Sequence, residues 1–147
     1  MEVHQRADGV TIVNDAYNAN PDSMRAALKA LVTMGQGRRT WAVLGEMREL
    51  GPESITEHDA LGRLAVRLNV TRLVAVGQGT QPIDSGARHE GSSGEESTWV
   101  PDTDAAYELI RPQLGPGDVV LVKSSHDAGL RWLGDRLLDN TGSEVHS

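Results

Sequence analysis

Val10-Thr11-Ile12-Val13-Asn14-Asp15-Ala16-Tyr17-Asn18-Ala19-Asn20-Pro21-Asp22-Ser23-Met24 is the stretch that decides the fold class of this chain. The β-branched run Val10 to Val13 predicts a buried strand, polar groups end it, and Pro21-Asp22-Ser23 has the chemistry of a helix start. Strand, polar loop and helix in that order build open α/β sheets, which bind ligands beyond the carboxyl ends of their strands. The loop carries Asn14, Asp15, Tyr17, Asn18 and Asn20, all able to hydrogen-bond ribose, phosphate or amide groups. On composition alone, an ordinary Asn/Asp turn before a Pro-initiated helix explains it equally well.

Outward from this unit, strand and helix patterns alternate. Upstream, Met1 to Gln5 alternates weakly and Arg6-Ala7-Asp8-Gly9 is turn chemistry, so an antiparallel N-terminal strand is expected, beginning as abruptly as a piece of something longer. Downstream, Met24, Ala27, Leu28, Leu31 and Val32 fall at helical spacing up to Gly35. A strand over Thr40 to Leu44, a helix over Ser54 to Leu68 and a strand over Arg72 to Val76 follow. Gln78 to Ser97 is rich in Gly, Ser and Glu and reads as a mobile surface loop, or at most a short helix around Pro82 to Ala87. Thr98-Trp99-Val100 is a short strand, Asp102/Thr103 cap a helix, Val119 to Val122 is a strand, and Leu130 to Leu138 is the last helix before a frayed tail. The class is α/β: a Rossmann-like three-layer domain with a mostly parallel sheet of about six strands and helices on both faces.

With 147 residues the chain fits one domain, and 38% hydrophobic residues in discrete runs suit a globular core. There are 21 acidic against 14 basic side chains, a balance that argues against nucleic-acid partners and against docking on an anionic membrane. No apolar run approaches the ~18 residues of a membrane span. Cysteine is absent, so no disulfide or thiolate metal site is available, and a soluble cytoplasmic domain is expected. The five histidines show no paired ligand spacing.

Loops that follow parallel strands share one sheet edge, so three of them can converge. They are the Asn14–Asn20 loop, Gly45-Glu46-Met47-Arg48-Glu49-Leu50-Gly51, and Lys123-Ser124-Ser125-His126-Asp127. From spacing alone Glu46 and Glu49 read more readily as surface charges on a turn, and Ser125 or Asp127 as a cap of the last helix. Lys123, one of two lysines in the chain, sits where a buried strand meets the ligand edge and suits an anion site. The chain has neither a Gly-x4-Gly-Lys-[Ser/Thr] loop nor a Gly-x-Gly-x-x-Gly turn, so it lacks a phosphate cradle of its own.

The strings themselves resemble the C-terminal domain of the Mur ligases, in order along almost the whole chain. Ala7 to Leu28 is similar to the family's opening, and Ala42 to Gly51 with downstream His58 to its Val-Leu-Gly-Asp/Glu-Met-x-Glu-Leu-Gly block. Asp118 to His126 resembles the closing block, usually Val-Lys-Gly-Ser-Arg or Val-Lys-Ala-Ser-Arg, with His126 in place of the Arg. An Arg grips a carboxylate bidentately at any pH, whereas His126 does so only as imidazolium; a solvated helix-start residue is the other reading.

The resemblance is greatest to the branch that joins D-alanyl-D-alanine to UDP-N-acetylmuramoyl-tripeptide through an acyl phosphate, releasing ADP and phosphate in peptidoglycan precursor synthesis. It implies a three-domain monomer whose central domain holds ATP and Mg2+, with residues 1–147 as a C-terminal domain that is inactive alone. That domain would close over ATP and the incoming dipeptide, with the central domain as its partner. Asp15 would bind ribose hydroxyls, Tyr17, Asn18 and Asn20 would line the nucleotide side, and Lys123, Ser125 and His126 would face the substrates, with no catalytic residue or metal ligand on this chain. The alternatives are the C-terminal domain of another Mur or folylpolyglutamate-type ligase, or a receiver-like phosphoacceptor domain. The latter needs an Asp after the third strand, where this chain has Gly77-Gln78-Gly79-Thr80.

Overall fold

A computed structural model describes residues 2–15, 19–125 and 129–145, with 140–145 as backbone only. Six strands form one sheet: β1 (Glu2–Gln5), β2 (Thr11–Asp15), β3 (Thr40–Leu44), β4 (Arg72–Val76), β5 (Ser97–Val100) and β6 (Val119–Lys123). Their order is β1-β2-β6-β3-β4-β5, antiparallel between β1 and β2 and parallel elsewhere. Five α-helices accompany them: α1 (Pro21–Gly35), α2 (Ser54–Arg67), α3 (Gln81–His89), α4 (Thr103–Ile110) and α5 (Leu130–Val145).

The period-2 alternation of the strands splits the core between two faces. Val13, Ala42, Leu44, Leu73, Ala75, Val119 and Leu121 pack under α1, α2 and α3. Ile12, Trp41, Val43, Val74, Val76, Val120 and Val122 pack under α4 and α5. β6 is buried along its whole length between β2 and β3, which is why its residues read as a continuous apolar run. The three-layer α/β expectation holds in full.

Two expectations need correction. The Gln78–Ser97 stretch is more ordered than a mobile loop, and its helix α3 is longer than the short one over Pro82 to Ala87. It anchors through Ile83 and Ala87, both fully buried, and Ser97 already belongs to β5. The last helix also continues past Leu138, to Val145.

What lets α3 bury so few apolar side chains is its close approach to α2. A Cβ on Gly62 would lie 1.9 Å from the Ile83 carbonyl oxygen, and one on Gly86 would lie 2.2 Å from the Asp59 oxygen. Gly62→Ala must therefore push the helices apart, at a cost of roughly 1–3 kcal/mol for an overpacked contact. A lower urea midpoint is expected for Gly62→Ala, with Gly94→Ala, whose Cβ meets nothing nearer than 3.7 Å, close to wild type. Equal midpoints would show that the helix pair yields without strain.

The N-terminal hairpin is tied down by Arg6, which is buried and donates to the Leu137 carbonyl and to Asp8. That guanidinium is the main reason the Asp8 carboxyl titrates below its ordinary value of 3.8. No helix among the described residues is long and apolar enough to cross a membrane.

Candidate functional site

β2, β6 and β3 are parallel neighbours in the sheet, so their carboxyl ends lie side by side at one edge. Asp15 and Lys123 stand directly opposite in the β2–β6 register, and by strand parity both face the α1–α2 side. The Lys123 ammonium donates to Asp15 Oδ2 at 2.6 Å, with 3% exposure for the lysine side chain and 17% for the aspartate. Lys123 thus holds the carboxylate that ends β2.

Asn14 points to the other face, where α5 presses on it: a Cβ on Gly134 would lie 2.7 Å from the Asn14 amide. Its Nδ2 donates to the Arg131 carbonyl and to Asp135, both at 3.4 Å. Asn14 therefore packs α5 onto the sheet. Asn20 is the N-cap of α1: its side chain accepts from the Ser23 backbone N–H at 2.9 Å while Ser23 Oγ accepts from the Asn20 N–H, a reciprocal capping box. Tyr17, Asn18 and His126 lie outside the described residues.

The second and third loops are stitched through their backbones. Gly45 N–H donates to the Lys123 carbonyl at 2.9 Å, and Ser125 N–H donates to the Glu46 carbonyl at 3.2 Å. Ser125 Oγ and Asn14 Oδ1 are buried and have no hydrogen-bond partner among the described residues. Such groups are rare in folded proteins and concentrate where a ligand or water completes them. Beside this stitch opens a cleft of about 300 Å³ lined by Glu46, Arg48, Gly77, Gln78, Asp102 and Thr103. Glu46 and Arg48 approach to 3.8 Å. Gly77 is fixed at the cleft floor because its N–H donates to the Val100 carbonyl and its carbonyl accepts from Trp99 Nε1.

A family model described as Mur ligase, glutamate ligase domain, matches residues 1–126. The chain belongs to this family. It is 54% identical over 152 residues to the UDP-N-acetylmuramoyl-tripeptide–D-alanyl-D-alanine ligase of Mycobacterium leprae, covering 94% of this chain and 29% of that protein. Among solved structures, MurF from Acinetobacter baumannii superposes with a TM-score of 0.80 at 29% identity, over 94% of this chain and 30% of that one. The MurF ligase from Thermotoga maritima in complex with ADP superposes at 0.78 with 22% identity, over 97% and 31%, a likeness of fold. The chain spans just under a third of the length of these relatives.

In this Mur ligase domain two features were hidden from residue spacing alone. The Glu46–Asp102 cleft joins loops more than fifty positions apart, which no local pattern displays. His58, visible beforehand only through the family resemblance, is fully buried; its ring nitrogens meet the Met47 N–H and the Ser54 carbonyl, with Ser54 Oγ 3.4 Å from Nδ1. Among the described residues no group of three or more His, Asp or Glu side chains is placed to hold a metal ion.

Proposed function

We propose that this domain is the C-terminal wall of the active site of an ATP-dependent, ADP-forming ligase that adds D-alanyl-D-alanine to UDP-N-acetylmuramoyl-tripeptide during peptidoglycan precursor synthesis. The observation that carries this reading is the 54% identity to the M. leprae ligase across 94% of the chain, which takes in all three loops at the carboxyl edge. In such a ligase the tripeptide carboxylate takes the γ-phosphoryl group of ATP, and the dipeptide amine displaces phosphate to form the amide. The central domain, holding the phosphate cradle, ATP and Mg2+, is the partner of this one.

On this reading Asp15 accepts the ribose hydroxyls, for which a short carboxylate at the end of a parallel strand is well suited. Tyr17 and Asn18 share the nucleotide side. Asn20 contributes by starting α1, since its Oδ1 is committed to the cap. Lys123 acts through Asp15, and the unpartnered Ser125 Oγ, with His126 next to it, faces the substrates. The zwitterionic dipeptide has complementary charges in the adjacent cleft, Arg48 for its carboxylate and Glu46 or Asp102 for its ammonium group.

Replacing the C-terminal third of the M. leprae ligase with this chain tests the reading. The chimera is expected to release ADP in a D-alanyl-D-alanine-dependent manner, within about tenfold of its parent, as most interface contacts are retained. A folded chimera that binds ATP and the tripeptide substrate yet releases no ADP, or that prefers another amine, would overturn it.

A further inference from the structure

His58 lies in α2, away from the carboxyl edge in sequence, yet both its ring nitrogens are engaged by backbone groups. Nε2 is 3.0 Å from the Met47 backbone nitrogen, and Nδ1 is 2.7 Å from the Ser54 carbonyl oxygen. A peptide N–H can only donate, so Nε2 must be the unprotonated acceptor. The single proton of a neutral imidazole then sits on Nδ1 and is donated to Ser54. One tautomer satisfies both partners, and an imidazolium would set two donors against each other at Met47.

The consequence travels to the site in two short steps. Met47, 1% exposed, follows Glu46, whose carbonyl takes the Ser125 N–H, while Gly45 before it donates to Lys123. The Glu46 side chain is pressed against Gly79 so closely that a Cβ there would lie 2.5 Å from the carboxyl carbon. A ring in α2 therefore fixes the β3 loop, and that loop fixes both Glu46 and the Ser125 backbone. A core histidine that only filled volume would not need both nitrogens matched to two separate backbone segments.

We infer that His58 is a positioning residue for the acceptor cleft, holding the Met47 amide as a neutral imidazole and thereby setting Glu46 and Ser125. The assignment of this cleft to the dipeptide rests on the function proposed above; the positioning role does not. His58→Gln places an amide oxygen where Nε2 stands and keeps the acceptor for Met47. His58→Asn keeps a donor near Nδ1 but cannot reach Met47, and His58→Leu fills the space with neither.

Amide hydrogen exchange in the 147-residue chain reads the positioning directly. Met47 and Ser125 amides are expected to exchange roughly tenfold faster or more in His58→Asn and His58→Leu than in His58→Gln, as a buried N–H loses its acceptor. Equal exchange in all three variants would overturn the inference, and the Leu variant decides it if the Asn variant does not fold. In the full ligase, His58→Asn should raise KM for D-alanyl-D-alanine roughly tenfold with kcat and KM for ATP changed less than about threefold, and His58→Gln should restore it. The exchange difference without this kinetic split would refute the dipeptide assignment of the cleft. Parallel losses in every kinetic constant for both Asn and Gln, together with equal exchange at Met47 and Ser125, would reduce His58 to a structural role and overturn the inference.

Discussion

Asp15→Asn is expected to destabilise the folded domain by ~3–5 kcal/mol, the cost of breaking a buried ion pair by removing one partner. The Lys123 side chain is 3% exposed and its ammonium lies 2.6 Å from Asp15 Oδ2. Water cannot replace the lost carboxylate at so enclosed a position. Lys123→Met removes the same pair from the other side, but Asp15, at 17% exposure, keeps some access to solvent. Its loss should be smaller, nearer the lower end of that range. Because the desolvation of both charges offsets most of their attraction, the double replacement Asp15→Leu/Lys123→Met should recover much of the stability lost by either change alone. Urea unfolding of the four proteins completes the cycle. Single variants within ~1 kcal/mol of wild type, as surface pairs are, would show that the pair is effectively solvated.

That pair also marks how far residues along the chain reveal the site. The β2–loop–α1 unit was legible because its signals are local: a β-branched run, a polar loop, and an Asn-Pro-Asp-Ser helix start that forms its capping box within four residues. β6 was legible for the same reason, as an unbroken apolar run. The pairing of Lys123 with Asp15 was not, since the two lie 108 positions apart and are brought together by strand order rather than by neighbours. Lys123, expected near the substrates, also donates to Asp15 at the end of the neighbouring strand. Helix α3 was under-read because its stability comes from glycines that admit close backbone approach to α2, and Gly62 and Gly86 look like helix weaknesses in one dimension. His58 was obscured similarly, because its two shortest contacts, to the Met47 N–H and the Ser54 carbonyl, are with backbone groups that carry no sequence identity.

The second large effect concerns ligand rather than stability. If Asp15 accepts the ribose hydroxyls, neutralising it in the full ligase removes charge-assisted hydrogen bonds of about 1.5–3 kcal/mol, roughly tenfold or more in ATP affinity. Lys123→Met disturbs the same ion pair while leaving the carboxylate in place, so ATP affinity should fall by less than about threefold, and it serves as the control for mere loss of the pair. UDP-N-acetylmuramoyl-tripeptide, whose uridine end belongs to another domain on this reading, should bind both variants as it binds wild type.

Calorimetric titration of ATP and of UDP-N-acetylmuramoyl-tripeptide into wild-type, Asp15→Asn and Lys123→Met ligase therefore bears on the role of this sheet edge most directly. The expected result is a roughly tenfold loss of ATP affinity confined to Asp15→Asn, with the tripeptide substrate unaffected throughout. Equal weakening of both ligands, equal ATP losses in the two variants, or unchanged ATP binding in Asp15→Asn would contradict a nucleotide-binding role for Asp15.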